Sequence, residues 1–309
     1  MNRLRNALFT SLLLLSFPGG ATPPEPNTIS PAQYTLRAEQ VLRLNLPKGE
    51  RFDASGLLLT LTGDLLTIND RGPALYRIEF LPNPAEANLI RLPNCFTDAQ
   101  LAPFAKEKKG YYDSEGIAQD AEGRLYICEE ANRWVLRCDP KAQRVERLPI
   151  DWSPVTNYFS SDPNASFEGI AIGNGKLYVA NERSNPVIIV VDLASLKIID
   201  HFQVYPQKVS WLGTHYSDLS WYEDKLFVLC RQHRVVLQVD PKTHALLAEY
   251  DYQNLEDEVG YIKHFPVGVM EGLAVERDYF WLCTDNNGFG RHSAPKDTRP
   301  TLLKCPRPL

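Results

Sequence analysis

Short apolar runs divided by polar turns recur along the chain from about residue 40 onward, with no helical periodicity of any length. Leu65 to Ile68, Leu125 to Cys128, Leu177 to Ala180, Leu226 to Leu229 and Phe280 to Cys283 each follow a polar turn: Gly63-Asp64, Glu122-Gly123, Gly173-Asn174-Gly175, Glu223-Asp224 and Arg277-Asp278. Short runs bounded by turn residues predict strands. Before each turn stands a related motif: Ser55-Gly56-Leu57, Glu115-Gly116-Ile117-Ala118, Glu168-Gly169-Ile170-Ala171, Ser217-Asp218-Leu219 and Glu271-Gly272-Leu273-Ala274. A polar loop follows each second strand. Then comes a third strand, such as Trp134 to Cys138 or Val187 to Val191, and usually a weaker fourth, such as Arg144 to Pro149 or Leu246 to Asp251.

The motif residues at 55, 115, 168, 217 and 271 are 60, 53, 49 and 54 residues apart. Four short strands repeated at about that interval are the signature of a propeller blade. Residues 35–309 are therefore expected to form one all-β domain, a β-propeller of five blades, with six as the alternative. A β-sandwich would also give many strands, but not the same opening motif in register. The last repeat stops after its third strand, Thr301 to Cys305, while Glu39 to Leu46 has no blade of its own. Pairing the two closes the ring and removes two open edges. Asn94 to Tyr112, Asp151 to Ser166, Val204 to His215 and Asn254 to Val269 fall outside the repeat and read as loops on one face.

The N-terminus changes the setting. Arg3 and Arg5 precede a short apolar run, Leu8 to Phe17, with Gly19 and Ala21 beyond it. This is the pattern of a signal peptide, residues 1–21. The Pro-rich residues 22–34 read as a flexible leader, and no later stretch is long and apolar enough to span a membrane. The protein is expected in the periplasm or secreted. A net charge of −5 without a basic tract argues against nucleic acid and anionic membranes as partners.

Six cysteines in an exported chain make disulfides plausible. Cys128 and Cys138 fall on successive strands of the second repeat, and Cys283 and Cys305 hold the same places in the fifth. Other repeats put apolar pairs there, Ile68 with Ile78 and Leu229 with Val239. The expected bridges are Cys128–Cys138 and Cys283–Cys305, leaving Cys95 and Cys230 unassigned.

The first strand of a blade is its innermost, so Ser55, Glu115, Glu168, Ser217 and Glu271 are expected to face a shared central channel. Three carboxylates in a narrow channel repel unless protonated or neutralised by a cation. Carboxylate and hydroxyl oxygens suit Ca²⁺, and the absence of His and Cys at these positions argues against zinc. The alternative is that each Glu caps its own blade. A second ring follows from the loop after the second strand: Asn69-Asp70, Glu129-Glu130, Asn181-Glu182, Cys230-Arg231 and Thr284-Asp285, with Arg71, Arg183 and His233 beside it. Acids beside arginines can hold a phosphate while one acid orients water. Asp70 and Glu130 are the candidate catalytic acids, and Arg71, Glu182, Arg183, Arg231 and Asp285 the candidate substrate-binding residues; ordinary polar surface loops are the alternative.

The order Ser55, Glu115, Glu168, Ser217, Glu271 resembles that of the calcium-activated nucleotidases, or apyrases. The Glu-Gly-Ile-Ala motifs at 115 and 168 resemble those of bacterial phytase-like propellers with a supposed esterase-like activity. The apyrase likeness implies a five-bladed propeller whose central Ca²⁺ is held by those five residues. It further implies Asp70 as a catalytic acid near the metal and Arg183 as a phosphate-binding arginine. The expected function is a Ca²⁺-dependent phosphohydrolase acting on nucleotides or other phosphate esters. The alternative is a non-catalytic propeller with structural Ca²⁺ that binds a glycan, peptide or envelope partner. A lactonase-type propeller fits less well, because such sites are Asn-rich rather than Glu-rich. No Gly-x-Ser-x-Gly nucleophile motif is present.

Overall fold

A computed structural model of the chain describes residues 30–46, 51–104, 112–162, 164–262 and 268–308. The expected signal peptide and most of the leader lie outside the described residues. Strands β1 (Ala32–Thr35) and β2 (Gln40–Asn45) come first. Four strands follow: β3 (Ala54–Leu59), β4 (Leu65–Asn69), β5 (Gly72–Phe80) and β6 (Glu86–Arg91). After the single turn of helix α1 (Asp98–Leu101) come β7 (Ser114–Gln119), β8 (Leu125–Glu129), β9 (Trp134–Asp139) and β10 (Arg144–Arg147). The next four are β11 (Phe167–Gly173), β12 (Lys176–Asn181), β13 (Val187–Asp192) and β14 (Lys197–Phe202). Then come β15 (Tyr216–Tyr222), β16 (Lys225–Cys230), β17 (Val235–Val239) and β18 (Leu246–Asp251). Helix α2 (Gln253–Val259) precedes β19 (Met270–Val275), β20 (Tyr279–Thr284) and β21 (Thr301–Pro306).

The strands assemble as antiparallel meanders, and the fold is an all-β propeller. The inner strands β3, β7, β11, β15 and β19 touch one another in ring order, with β19 returning to β3. Each pair of neighbouring sheets encloses its own apolar cluster. Ile68 and Leu75 pack with Ile117 and Leu136, Tyr126 and Val135 with Ile170 and Val179, and Ala180 and Val190 with Leu219 and Val228. Phe227 and Val236 pack with Leu273 and Phe280, and Ala274 and Leu302 with Leu57 and Leu65. Alternate residues on each strand serve opposite faces of the sheet, so one strand feeds two clusters. Burying a Leu or Phe side chain contributes roughly 1.5–3 kcal/mol, so the ring is held mainly by packing between sheets.

Strand β2 pairs antiparallel with β21, Gln40 opposite Lys304 through Arg43 opposite Thr301, supplying the outer strand that the last repeat lacks. It also runs parallel to β6, joining the first and last sheets. Strand β1 begins within the segment read as leader and lies parallel to β18, Ala32 opposite Ala248, covering that sheet's outer edge. The inserts read as loops carry short helical turns, α1, a 3₁₀ turn at Ser153–Tyr158, and α2, whose Glu256 carboxylate accepts from Val269 N at 2.8 Å.

The disulfide expectation is corrected. In the hairpin of β8 and β9, Cys128 lies opposite Val135 and Cys138 opposite Leu125. Cys138 is thus three places beyond Cys128's partner, an odd step that turns it to the other face of the sheet. Cys128 joins the cluster with Phe167, whereas Cys138 joins the one with Ile68. The same offset separates Cys283, opposite Leu302, from Cys305, opposite Phe280. The bridge that forms is Cys95–Cys138, with Cα atoms 5.9 Å apart, a span typical of a disulfide. It fastens the insert after β6 to β9. Cys128, Cys230, Cys283 and Cys305 are buried thiols, and burial alone pushes the Cys305 thiol up to about 12. They act as small apolar core residues.

Candidate functional site

Each inner strand breaks register with its neighbour at the motif. The irregularity falls between Ala54 and Gly56, Ser114 and Ile117, Phe167 and Gly169, Tyr216 and Asp218, and Met270 and Gly272. Ser55, Glu115, Glu168, Ser217 and Glu271 are therefore left out of the ladder. A bulge re-aims a side chain, and here the same bulge recurs in every inner strand. The following glycines serve close approach. A Cβ on Gly56 would meet Glu115 O at 2.8 Å, one on Gly116 would meet Ile170 N at 2.7 Å, and one on Gly169 would meet Asp218 Cα at 2.6 Å.

The five bulge residues do not behave alike. Ser55 hydrogen-bonds to Glu115. Ser217 Oγ is turned to backbone, donating to Met270 O at 3.1 Å. Glu271 pairs with Arg231 through one carboxylate oxygen, and its Oε2 is buried without a hydrogen-bond partner among the described residues. Glu115 and Glu168 instead approach acids of the second ring. Carboxylate oxygens of Asp113, Glu115 and Glu130 lie within 4.8 Å of one another, and so do those of Glu130, Glu168 and Glu182. Glu130 belongs to both groups.

The second ring owes its place to a repeated backbone contact. After four of the five second strands, the next residue donates its N–H to a residue just before the inner strand: Asp70 to Asp53 O at 3.0 Å, Glu130 to Asp113 O at 2.8 Å, Glu182 to Ser166 O at 2.7 Å and Asp285 to Val269 O at 2.9 Å. This brings Asp53 and Asp113 to the site, and His215 joins them through its approach to Glu182; sequence reasoning singled out none of the three. Their signal was register: each stands two residues before its motif residue.

The arginines are already engaged. Arg231 bridges Glu271 and Glu182, the latter at 2.5 Å. Arg183 pairs with Glu182 and lies 3.4 Å from Asp162. Arg71 is half exposed and 3.9 Å from Asp53, which is held more closely by Arg51. His215 Nδ1 lies 3.3 Å from Glu182 Oε1. His233 is buried, and burial, then His215 and Lys208, hold its imidazole below the ordinary value.

Electrostatics divides the site into a half whose carboxyls are pushed up and a half where arginines hold a carboxylate ionised. Burial, then Asp285, Asp53 and Asp113, push the Asp70 carboxyl up to about 8, against the pull of Arg71. Burial and Asp53 push Asp285 up to about 7. Burial raises Glu115 well above its ordinary value, with Glu130 and Asp113 adding to the shift. Burial and then Glu182 and Glu115 do the same to Glu168. Glu182 goes the other way: burial opposes its charge, but Arg231, the His215 hydrogen bond and Arg183 prevail and hold it low. The raised acids gather around Glu115 and Asp70, and the lowered one stands beside Arg231.

The fold and this acid-lined channel define a β-propeller with a polar site where its inner strands begin. The family described as "Phytase-like: Esterase-like activity of phytase" matches residues 52–288, and the chain belongs to that family. A search of curated proteins finds no match. Among solved structures the chain is similar to glutaminyl cyclase of Myxococcus xanthus, with TM-score 0.59 and 16% identity over 89% of this chain and 97% of that one. It also resembles virginiamycin B lyase of Staphylococcus aureus, with TM-score 0.40 and 15% identity over 82% of this chain and 66% of the other. The first of these likenesses speaks to the fold alone.

Proposed function

We propose that the protein is an exported, Ca²⁺-binding propeller that hydrolyses a phosphate ester at the acid-lined end of its channel. The observation that carries this reading is the pair of carboxylate groups sharing Glu130, built from Asp113, Glu115, Glu130, Glu168 and Glu182. Their donors are all hard oxygens, which suit Ca²⁺. The upward shifts of Glu115 and Glu168 are those of acids awaiting a cation. Ser55 stands beside Glu115, whereas Ser217 is committed to backbone and Glu271 to Arg231. The ligand set proposed here therefore keeps Glu115 and Glu168 of the inner ring and draws Glu130 and Glu182 from the second.

A bound dication would neutralise these acids and polarise a phosphate oxygen. The chain's own residues supply the remainder. Asp70 is poised as the proton acceptor for an attacking water: its carboxyl titrates at about 8, and its buried Oδ1 has no hydrogen-bond partner among the described residues. A general base works best with such a value near the working pH. Of the arginines around the site, Arg71 is the most open to solvent and meets the substrate first. Arg183 and Arg231 hold Glu182 in place and present their remaining N–H groups to phosphate oxygens; Asp285 flanks Asp70. Export is supported by the Cys95–Cys138 bridge and by the signal-like N-terminus. No helix among the described residues is long and apolar enough to cross a membrane.

The test is phosphate release from nucleoside di- and triphosphates and simple phosphomonoesters, with chelator or with millimolar Ca²⁺, alongside thermal melting. Wild type is expected to melt higher with Ca²⁺, because a ligand of the folded state alone stabilises it, and to release phosphate only then. Glu130→Gln is expected to lose both responses, and Asp70→Asn only the release. A melting shift without release from any ester would leave Ca²⁺ binding and favour a binding propeller; no shift at all would end the metal reading.

A further inference from the structure

The insert between β14 and β15 reaches out to β18 and returns to the acidic site. Its two ends are closed on each other by one buried hydroxyl: Tyr216 OH accepts from Val204 N at 3.0 Å and donates to Val204 O at 2.6 Å. At the inner end, His215 Nδ1 lies 3.3 Å from Glu182 Oε1, and Tyr216 N donates to Glu182 O at 3.2 Å. This loop is the element that delivers His215 to the acids.

Between those ends no apolar anchor holds the loop. None of residues 205–215 is buried, and the tip stands out in solvent, with Val209 90% and Trp211 81% exposed. The fixed points are polar, and they stand together on β18. Gln207 N donates to the Glu249 carboxylate. Lys208 Nζ reaches Asp251 Oδ2 at 2.6 Å and, just beyond β18, Gln253 Oε1 at 3.0 Å. Past these pins the tip turns on itself, Leu212 N donating to Ser210 Oγ at 3.3 Å, and the chain comes back to His215.

Glu249 is 2% exposed. Its oxygens go to Gln207 N and to Gln33 Nε2, the latter at 3.1 Å. A buried carboxylate is costly unless its oxygens are hydrogen-bonded, so a place that an apolar residue could fill is given to holding this loop. Gln33 comes from β1, which lies in register with the same residues, Gln33 beside Glu249 and Thr35 beside Asp251. The N-terminal strand thus backs both pins.

We propose that Glu249, with Asp251 beside it, is a positioning residue for the acidic site: it fixes the loop that sets His215 against Glu182, without touching the acids itself. This placement of His215 stands whatever the acids bind. Its effect on a dication rests on the function proposed above, in which Glu182 is a ligand and His215 its outer partner. Loss of such a partner typically costs 10–100-fold in metal affinity.

Imidazole NMR of the full mature chain, in chelator, tests the placement. Glu182→Gln is expected to move the His215 resonances in wild type. On a Glu249→Ala background the same change is expected to leave them unmoved, with the His244 resonances unaltered throughout. Glu249→Gln, whose amide oxygen can still accept from Gln207 N, is expected to restore the coupling; a residue that served stability alone would lower the melting temperature and leave the coupling intact. In Ca²⁺ titrations followed by melting, Glu249→Ala is expected to need about tenfold more Ca²⁺ for half the shift, and Glu249→Gln to behave as wild type. If wild type shows no Ca²⁺ shift, the function proposed above falls, and the NMR coupling still decides this inference. An undiminished coupling in Glu249→Ala overturns it, as does an equal loss in Glu249→Gln. Should Glu249→Ala fail to fold, Lys208→Met on the second pin is read in its place.

Discussion

The two ends of the channel are built by the same strands and differ in where the side chains go. At the strand starts, Glu115 and Glu168 crowd against Glu130, and side chains come from three sets of backbone positions. A few residues further along, only the strands themselves contribute, and Leu57, Ile117, Ile170 and Leu219 turn away into the clusters between sheets. The difference is one of connection. Loops that enter and leave the inner strands meet at the acidic end and vary freely in length, so polar groups can be added there without disturbing the ladder. The other end is bounded by tight turns such as Gly63 and Gly123, both at positive φ, which leave no room for added residues.

Between the two ends lies a waist, where Gly56, Gly116 and Gly169 let neighbouring inner strands touch, and the sharpest way to break the comparison is to widen it. Gly169→Ala would place a methyl group 2.6 Å from the Asp218 backbone, where neither strand can yield without disturbing its own ladder. A loss of about 3 kcal/mol is expected, read as a lower denaturation midpoint with an unchanged m-value. A stability within about 0.5 kcal/mol of wild type would mean that the strands are not in contact at the axis.

Asp218→Asn probes the same waist from its polar side. The carboxylate accepts three backbone N–H groups; an amide turns one acceptor into a donor and leaves at least one buried N–H unmet. The expected cost is about 1–3 kcal/mol. Asp218→Asn is also expected to alter the amide-exchange rates of Leu57 and Leu273, which no substitution at Glu130 should touch. Unchanged exchange at both would place the carboxylate elsewhere.

The repeat was legible because it is local: alternation, turn residues and the Glu-Gly-Ile-Ala motif each span a few positions. The pairing of β2 with β21 was legible for the same reason, since a missing strand and a spare one are both visible in the chain. Register was not. Cys128 and Cys138 share a spacing with Ile68 and Ile78, but spacing does not say where a hairpin turns, and an error of three places moves a side chain to the other face. The bulge at Glu115 could not be read either, because it appears only when two strands are aligned. Nor could the Arg231 bridge to Glu271 and Glu182, which joins residues 40 and 49 positions apart. Asp113 and Asp53 were passed over because they precede the motif, where loop length hides the correspondence. Asp218, by contrast, was visible as the exception to the glycines, and its role became clear only with Leu57 and Leu273 around it.

The smallest expected effect is the most discriminating between the two ends, since the acids raised toward neutrality stand at only one of them. Asp70 moves from an ordinary 3.8 to about 8 on folding, and Asp285 to about 7. An acid whose value rises on folding holds its proton in the native state after the unfolded chain has released it. Stability then falls as pH rises, from about pH 4 until the higher folded value, about 8, is passed. Glu182 has the opposite sign: its stabilising charge is present above its ordinary 4.5 and is lost only in acid. Between about pH 5 and about pH 8 the raised acids therefore dominate, and chelated protein is expected to melt a few degrees lower at the alkaline end. A bound dication favours the ionised carboxylates, so millimolar Ca²⁺ is expected to flatten or reverse that slope. Asp70→Asn is expected to reduce the slope in chelator, whereas Ala118→Leu in the core between sheets should leave it as it is. A melting temperature in chelator that rises over this range would show that the acids at the channel mouth are already neutralised by the arginines around them.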